Sequence, residues 1–282
     1  MIRLFAFLLL SAFASLQTTY NASAAVSPWS NVHGGAVRLI SSGPGENGLY
    51  RIGVEFSMDP GWHTYWRFPG EAGIPPTFDF SGSQNLKSTA ILFPVPERYD
   101  DGFSQSIVYK DAVVLPVDAA AADPSRPIEI SLSLFFGICK DICVPGEAEL
   151  TLTLAPSAEV DKTAAFLIDR DRALVPGAPV EGGPRVKDIR SEQAGQSHKL
   201  VITAEVSEGG AHDLFAEGPE GSYIALPVLA ESSGSRAVWT LSTRGLARSG
   251  EGSRLTLVLK DNDTAVEETF ELGPALLPPA AK

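Results

Sequence analysis

The stretch Phe135-Phe136-Gly137-Ile138-Cys139-Lys140-Asp141-Ile142-Cys143-Val144-Pro145 holds both cysteines of the 282-residue chain. On its N-terminal side Ile128, Ile130, Leu132, Leu134 and Phe136 alternate with Glu129, Ser131, Ser133 and Phe135. On its C-terminal side Ala148, Leu150, Leu152 and Leu154 alternate with Glu147, Glu149, Thr151 and Thr153. A period of two on both flanks predicts two half-buried β-strands, with the cysteines in the connection that joins them. The rest of the chain then reads as a scaffold that presents, shields or tethers that connection.

Residues 1–24 read as an export signal. Arg3 precedes an apolar run from Leu4 to Leu16, and Ala22-Ser23-Ala24 fits a small-x-small cleavage site. The run is short for a membrane-spanning helix, which needs about 20 residues, so the expectation is a soluble, exported protein with no direct membrane insertion. Without Arg3 the chain carries 21 basic and 34 acidic residues, a net charge of 21 − 34 = −13. That balance argues against nucleic acid or an anionic membrane surface as partner. With 44% hydrophobic residues and four tryptophans, the chain is expected to fold.

From Pro28 to Pro156 short alternating segments follow one another, punctuated by Gly, Pro and Asp. Strands are expected at 37–40, 49–56, 62–66, 90–93 and 112–117, with a loop at 70–76 around Pro75-Pro76 and a polar excursion from Glu97 to Ser106. A helix is expected from Glu159 to Leu174, capped by Ser157, with Val160, Ala164, Leu167, Ile168 and Leu174 on one face. Pro176-Gly177-Ala178-Pro179 stops it, and the stretch to Pro184 reads as a linker. Strands resume over 199–206, 237–242, 254–260 and 267–272. The fold class is therefore all-β: two antiparallel β-sandwich domains, 25–156 and 185–273, joined by a short helix and Pro/Gly linker. The two should pack independently. The tail, 274–282, should be disordered, and His198 and His212 read as isolated surface or turn residues.

An exported Cys-x3-Cys pair admits several chemistries. A structural staple is one, but a five-residue loop yields only about 2 kcal/mol on the chain-entropy model, against about 4 to 5 for a long one. A redox-active pair is another, and spacing leaves the two open. A pair of soft thiolate ligands for Cu(I) is a third. Zinc would need His63 and a carboxylate to join the cysteines, and beyond Met58, His33 and His63 the first half offers few ligands. No cofactor or metal is expected.

Four motifs occur in order: Asp59-Pro60-Gly61-Trp62-His63-Thr64-Tyr65-Trp66, Phe93-Pro94-Val95-Pro96, Val108-Tyr109-Lys110-Asp111, and Gly137-Ile138-Cys139-x3-Cys143-Val144-Pro145. As a set they resemble the N-terminal periplasmic domain of the thiol:disulfide interchange protein DsbD, nearer its ScsB-like (copper-sensitivity suppressor) branch. The resemblance spans 28–156 and is weaker in the second sandwich. It implies that the β-sandwich domains are immunoglobulin-like, that the protein is periplasmic, and that Cys139 and Cys143 relay electrons between a membrane electron transporter and thioredoxin-like periplasmic partners. It makes Cys143 the cysteine that attacks the partner and Cys139 the one that resolves the mixed disulfide. It also implies a cap loop at Asp100, Asp101 and Phe103, the last as an aromatic lid over the sulfurs, and site-lining roles for His63, Tyr65 and Tyr109. The DsbD pair is separated by five residues and this one by three, as in the ScsB-like branch. The membrane segment and thioredoxin domain of full-length relatives are absent here, so the transporter is expected to be a separate protein. The alternative is a non-redox interaction or copper-handling module with a structural disulfide.

The borrowed site makes physical sense. Asp100, Asp101 and Asp141 disfavour a nearby thiolate, and Lys140 favours it. Cys139 and Cys143 should lie with Cα atoms under about 7 Å apart. If the alternation holds, His63 and Tyr65 occupy the opposite strand face from Trp62 and Trp66, which read as core.

Overall fold

In a computed structural model the residues described are 26–194, 197–247 and 253–277. The expected export signal and the last residues of the tail lie outside them. Along the chain run β1 (Ser30–Val32), β2 (Gly35–Pro44), β3 (Leu49–Met58), β4 (His63–Gly70), β5 (Thr77–Asp79), β6 (Leu86–Ile91), β7 (Glu97–Asp100), β8 (Gln105–Lys110), β9 (Ala112–Ala121), β10 (Ile128–Cys139) and β11 (Cys143–Leu154). After α1 (Lys162–Arg172) come β12 (Arg185–Ala194), β13 (Ser197–Glu205), β14 (His212–Glu217), β15 (Val228–Ser233), β16 (Arg236–Ser242), β17 (Arg254–Asp261) and β18 (Thr264–Glu271).

The first sandwich faces a sheet ordered β1-β2-β3-β9-β6 against one ordered β11-β10-β4-β8-β7, with β5 added to β10. The β10–β11 hairpin pairs in unbroken antiparallel register from Ile128↔Leu154 to Cys139↔Cys143. Because side chains alternate, Leu132, Leu134, Phe136, Ile138, Leu150 and Leu152 all enter one core with Val37, Leu39, Phe56 and Leu115 of the facing sheet. Phe56 and Phe136 meet edge to face across it, with ring centroids 5.2 Å apart. The cysteines are thus the terminal residues of the two strands rather than residues of the connection, which is only Lys140-Asp141-Ile142.

The helix starts later than expected. Asp161, not Ser157, caps it, accepting from the amides of Thr163 and Ala164 at 2.9 Å each. Ala164 and Ile168 pack with Ile40 and Val114 on the outer face of the first sheet, whereas Val160 and Leu174 stay exposed. Beyond the helix the linker is tied down: Gly177 bonds through its amide to Ala265 O and through its carbonyl to the amide of Glu267.

In the second sandwich the sheets are β12-β13-β16-β15 and β14-β17-β18, closed over Leu200, Ile202, Trp239, Leu214, Leu257 and Leu259. Leu276 and Leu277 of the expected disordered tail pack half-buried on this core. His212 is not a surface residue; its Nδ1 lies 2.9 Å from Asp261 Oδ1 in a pair whose side chains are nearly inaccessible.

The sandwiches do not pack independently. Phe215 and Val258 are register partners on β14 and β17, and they point away from the second core. With Leu226 they join the first core beside Trp66 and Ile107. Strands apolar on both faces are buried on both faces, as Leu214-Phe215-Ala216 and Leu257-Val258-Leu259 are. Charge completes the seam: Arg67 bonds Glu217 at 2.7 Å and Glu267 at 2.6 Å, and Arg98 bonds Asp213 at 2.8 Å.

Candidate functional site

Cys139 and Cys143 form a disulfide at the open end of the hairpin, with Cα atoms 4.2 Å apart. The pair is asymmetric. Cys139 is 1% exposed, while Cys143 faces solvent. The difference follows from sheet position, because β10 is flanked on its other side by β4, where Cys139 is the register partner of His63. β11 is the sheet edge.

Tyr65 covers the buried sulfur. Its hydroxyl lies 2.8 Å from Cys139 Sγ and 3.1 Å from Cys143 Sγ. The ring is held in a slot between two glycines. A Cβ at Gly73 would stand 2.3 Å from Tyr65 Cε1, and one at Gly137 would stand 2.9 Å from Tyr65 Cδ2. Gly73 has φ +125°, a backbone region that L side chains rarely adopt. The amide of Gly137 donates to Ile74 O at 3.1 Å, fastening the 71–76 loop over the strand. Thr64, on the opposite face, donates to Gly137 O at 2.8 Å. Burial first, then the Asp101 carboxylate and Tyr99, push the Tyr65 phenol up to about 12. It is therefore a neutral O–H donor beside two sulfurs at any physiological pH.

His63 stands beside it, 3% exposed. Its ring meets Tyr65 edge-on at 5.5 Å and tilts over Tyr99 at 4.3 Å. Burial, and then the charge of Lys110, hold its pKa below the ordinary value against the opposing pull of Asp101. Tyr65, Val108 and Cys139 form a small buried cluster on this outer face, with Tyr99 half-buried against it. The predicted alternation therefore places His63 and Tyr65 at the disulfide and Trp66 in the core.

The acidic loop is shaped by its own carboxylates. Asp101 accepts from the amides of Phe103 and Ser104 at 2.8 and 2.7 Å, which lowers its pKa. Asp100 accepts from the amide of Gly102 at 2.8 Å. This tight turn leaves the Phe103 ring 100% exposed, so Phe103 does not pack over the sulfurs. Tyr109 also departs from expectation. It is the register partner of Thr64, faces the core, and donates its hydroxyl to Pro94 O at 2.6 Å. Lys140 lies along Gly61, with Nζ 3.4 Å from Pro60 O.

Three contributors escaped the sequence reading: Tyr99, Gly73 and Gly137. Gly137 carried a signal, since a glycine inside an otherwise regular strand often marks the close approach of another group. Tyr99 carried none, lying in a stretch read as a polar excursion.

Residues 39–155 match the family model of "Thiol:disulfide interchange protein DsbD, N-terminal". Among curated proteins none matches the chain. Among solved structures, the N-terminal periplasmic domain of ScsB from Proteus mirabilis superposes with a TM-score of 0.70 at 21% identity, covering 88% of this chain and 98% of that one. That likeness is one of fold and extends over both sandwiches. The family match thus lies within the first sandwich, in a chain folded like that region of ScsB. Together with the Cys139–Cys143 bond, the match supports a thiol:disulfide interchange module. Among the described residues no helix is long and apolar enough to cross a membrane.

Proposed function

We propose that this is a periplasmic electron-relay module in which the Cys139–Cys143 pair exchanges with thioredoxin-like partners, to or from a separate membrane electron transporter. The observation that carries the reading is the asymmetry of the pair: one sulfur open to a partner, the other buried under a hydroxyl donor. A partner thiolate attacks Cys143 Sγ, the only sulfur of the two with solvent access. A bond forms between the partner sulfur and Cys143, the Cys139–Cys143 bond breaks, and Cys139 leaves with the electron pair as a thiolate. Tyr65 is placed to donate its O–H to that thiolate, which stabilises the leaving group where water is scarce. In the reverse direction Cys139, so held, attacks Cys143 Sγ of the mixed disulfide and releases the reduced partner. Asp101 and Asp141 put negative charge near the sulfurs and disfavour thiolate until a partner docks.

The expected export signal, the family match and the ScsB likeness all support a periplasmic setting. Trapping tests the reading. With Cys139→Ser the remaining thiol of Cys143 should accumulate as a mixed disulfide with a thioredoxin-like protein, whereas Cys143→Ser should trap little. Equal trapping by both variants, or by neither, would remove the assignment.

A further inference from the structure

We propose that the second sandwich is a brace that sets the reactivity of the disulfide, with Arg98 as the positioning residue. This rests on the interchange reading of the Cys139–Cys143 pair.

Three neighbouring strands alternate between the second sandwich and the disulfide. On β4, Trp66 faces the seam with the second sandwich and Tyr65 faces the sulfurs. On β8, Ile107 lies in the first core close to Leu226 of the second sandwich, both side chains bordering Gly70, and Val108 clusters with Cys139. On β7, Arg98 reaches into the second sandwich and Tyr99 packs on the Tyr65 cluster. Adjacent residues of a strand point to opposite faces. Each strand that covers Cys139 is therefore held from behind by the other domain.

Strand β7 needs that hold most. It has four residues, lies at the sheet edge and has only β8 as a ladder partner. It also leads into the turn of Asp100 and Asp101. Arg98 supplies the second attachment. Its Nε donates to Asp213 Oδ1 at 2.8 Å and Oδ2 at 2.9 Å, and its NH2 group donates to Leu214 O at 2.9 Å and Pro227 O at 2.7 Å. Three acceptor groups on two segments of the second sandwich fix one guanidinium, so β7 cannot shift without breaking them. Site residues are held to productive geometry by a supporting shell of this kind, and loosening it releases the cover.

The oxidised full-length protein is reduced with dithiothreitol under native conditions, and the rate is compared between wild type, Arg98→Ala and Asp213→Asn. Both variants should be reduced about threefold or more faster, in line with the coupling that a supporting residue usually carries. Amides from Tyr99 to Ser104 should exchange hydrogen faster in both. Arg98→Lys, which keeps the charge but not the fork, should fall between. Arg38→Ala, which removes the ion pair to Glu55 away from the seam, serves as a control for general loss of stability and should leave the rate unchanged. Wild-type rates in both seam variants, or equal acceleration by Arg38→Ala, would overturn the proposal. The readout needs no protein partner. A pair that fails to exchange with thioredoxin-like proteins removes the interchange reading and leaves this comparison standing; normal exchange with unchanged rates removes the brace alone.

Discussion

The hydroxyl oxygen of Tyr65 lies 2.8 Å from Cys139 Sγ, and the ring that carries it fills a slot bounded by Gly73 and Gly137. The contact joins β4 to the end of β10, where only Thr64 and His63 pair with Ile138 and Cys139. A small hydrogen-bonding ladder, an aromatic ring and two sulfurs thus meet at one point of the sheet.

Tyr65→Phe keeps the ring in its slot and deletes the donor. A hydrogen bond to a charged group contributes about 1.5 to 3 kcal/mol, so the Cys139 thiol of the reduced variant should titrate about one unit or more higher than in wild type. Thiolate absorbance against pH measures this. An unchanged titration would mean that the hydroxyl does not act on the thiolate.

The same residues predict how stability depends on pH. Folded Tyr65 holds its proton to about 12 against an ordinary 10.0. Over that interval the unfolded chain has lost a proton that the folded chain keeps. The contribution is complete below about pH 10 and is lost as pH rises toward about 12. His63 acts at the other end, because its folded pKa is lowered from 6.5. Its contribution is present above about pH 6.5 and is lost as pH falls through the lowered value. Urea midpoints across pH should show a flatter alkaline limb in Tyr65→Phe and a flatter acid limb in His63→Gln. Limbs parallel to wild type would contradict both assignments.

Gly137→Ala adds a Cβ that would lie 2.9 Å from both Tyr65 Cδ2 and Ile74 Cβ. Overfilling a packed site of this kind costs about 1 to 3 kcal/mol. The ring should be pushed off the sulfurs, so the variant should lose stability and its disulfide should be reduced faster by a small thiol. Lost stability with an unchanged reduction rate would separate the slot from the sulfurs.

Phe103→Ala should behave differently. A fully exposed side chain contributes within about 0.5 kcal/mol, so neither the unfolding midpoint nor the small-thiol rate should move. Reduction speeded by this variant would restore Phe103 to the lid role that its exposure denies it.

The hairpin of β10 and β11 was legible in the sequence because its alternation is regular and each strand has one face in the core. The same rule separated Tyr65 from Trp66. It failed at Glu97 to Ser106, where two strands were read as a polar excursion. The reason is physical: Arg98 is polar because its partner, Asp213, lies 115 residues away in the other sandwich. No local pattern encodes that. Tyr109 was misplaced for a related cause, since its motif borders the site in sequence while its register with Thr64 turns it to the core. Phe103 followed a position carried over from relatives, whereas here Asp101 ties the turn through the amides of Phe103 and Ser104. The buried His212–Asp261 pair joins residues of two paired strands that sequence spacing cannot align.

The reduction potential of the Cys139–Cys143 pair, from equilibration of the full-length protein with dithiothreitol or glutathione buffers, tests the central claim. An interchange module must sit within reach of its partners, whose potentials run from about −270 to −120 mV, so the predicted value is above about −300 mV. A value well below about −300 mV would mark the bond as a structural staple and contradict the account.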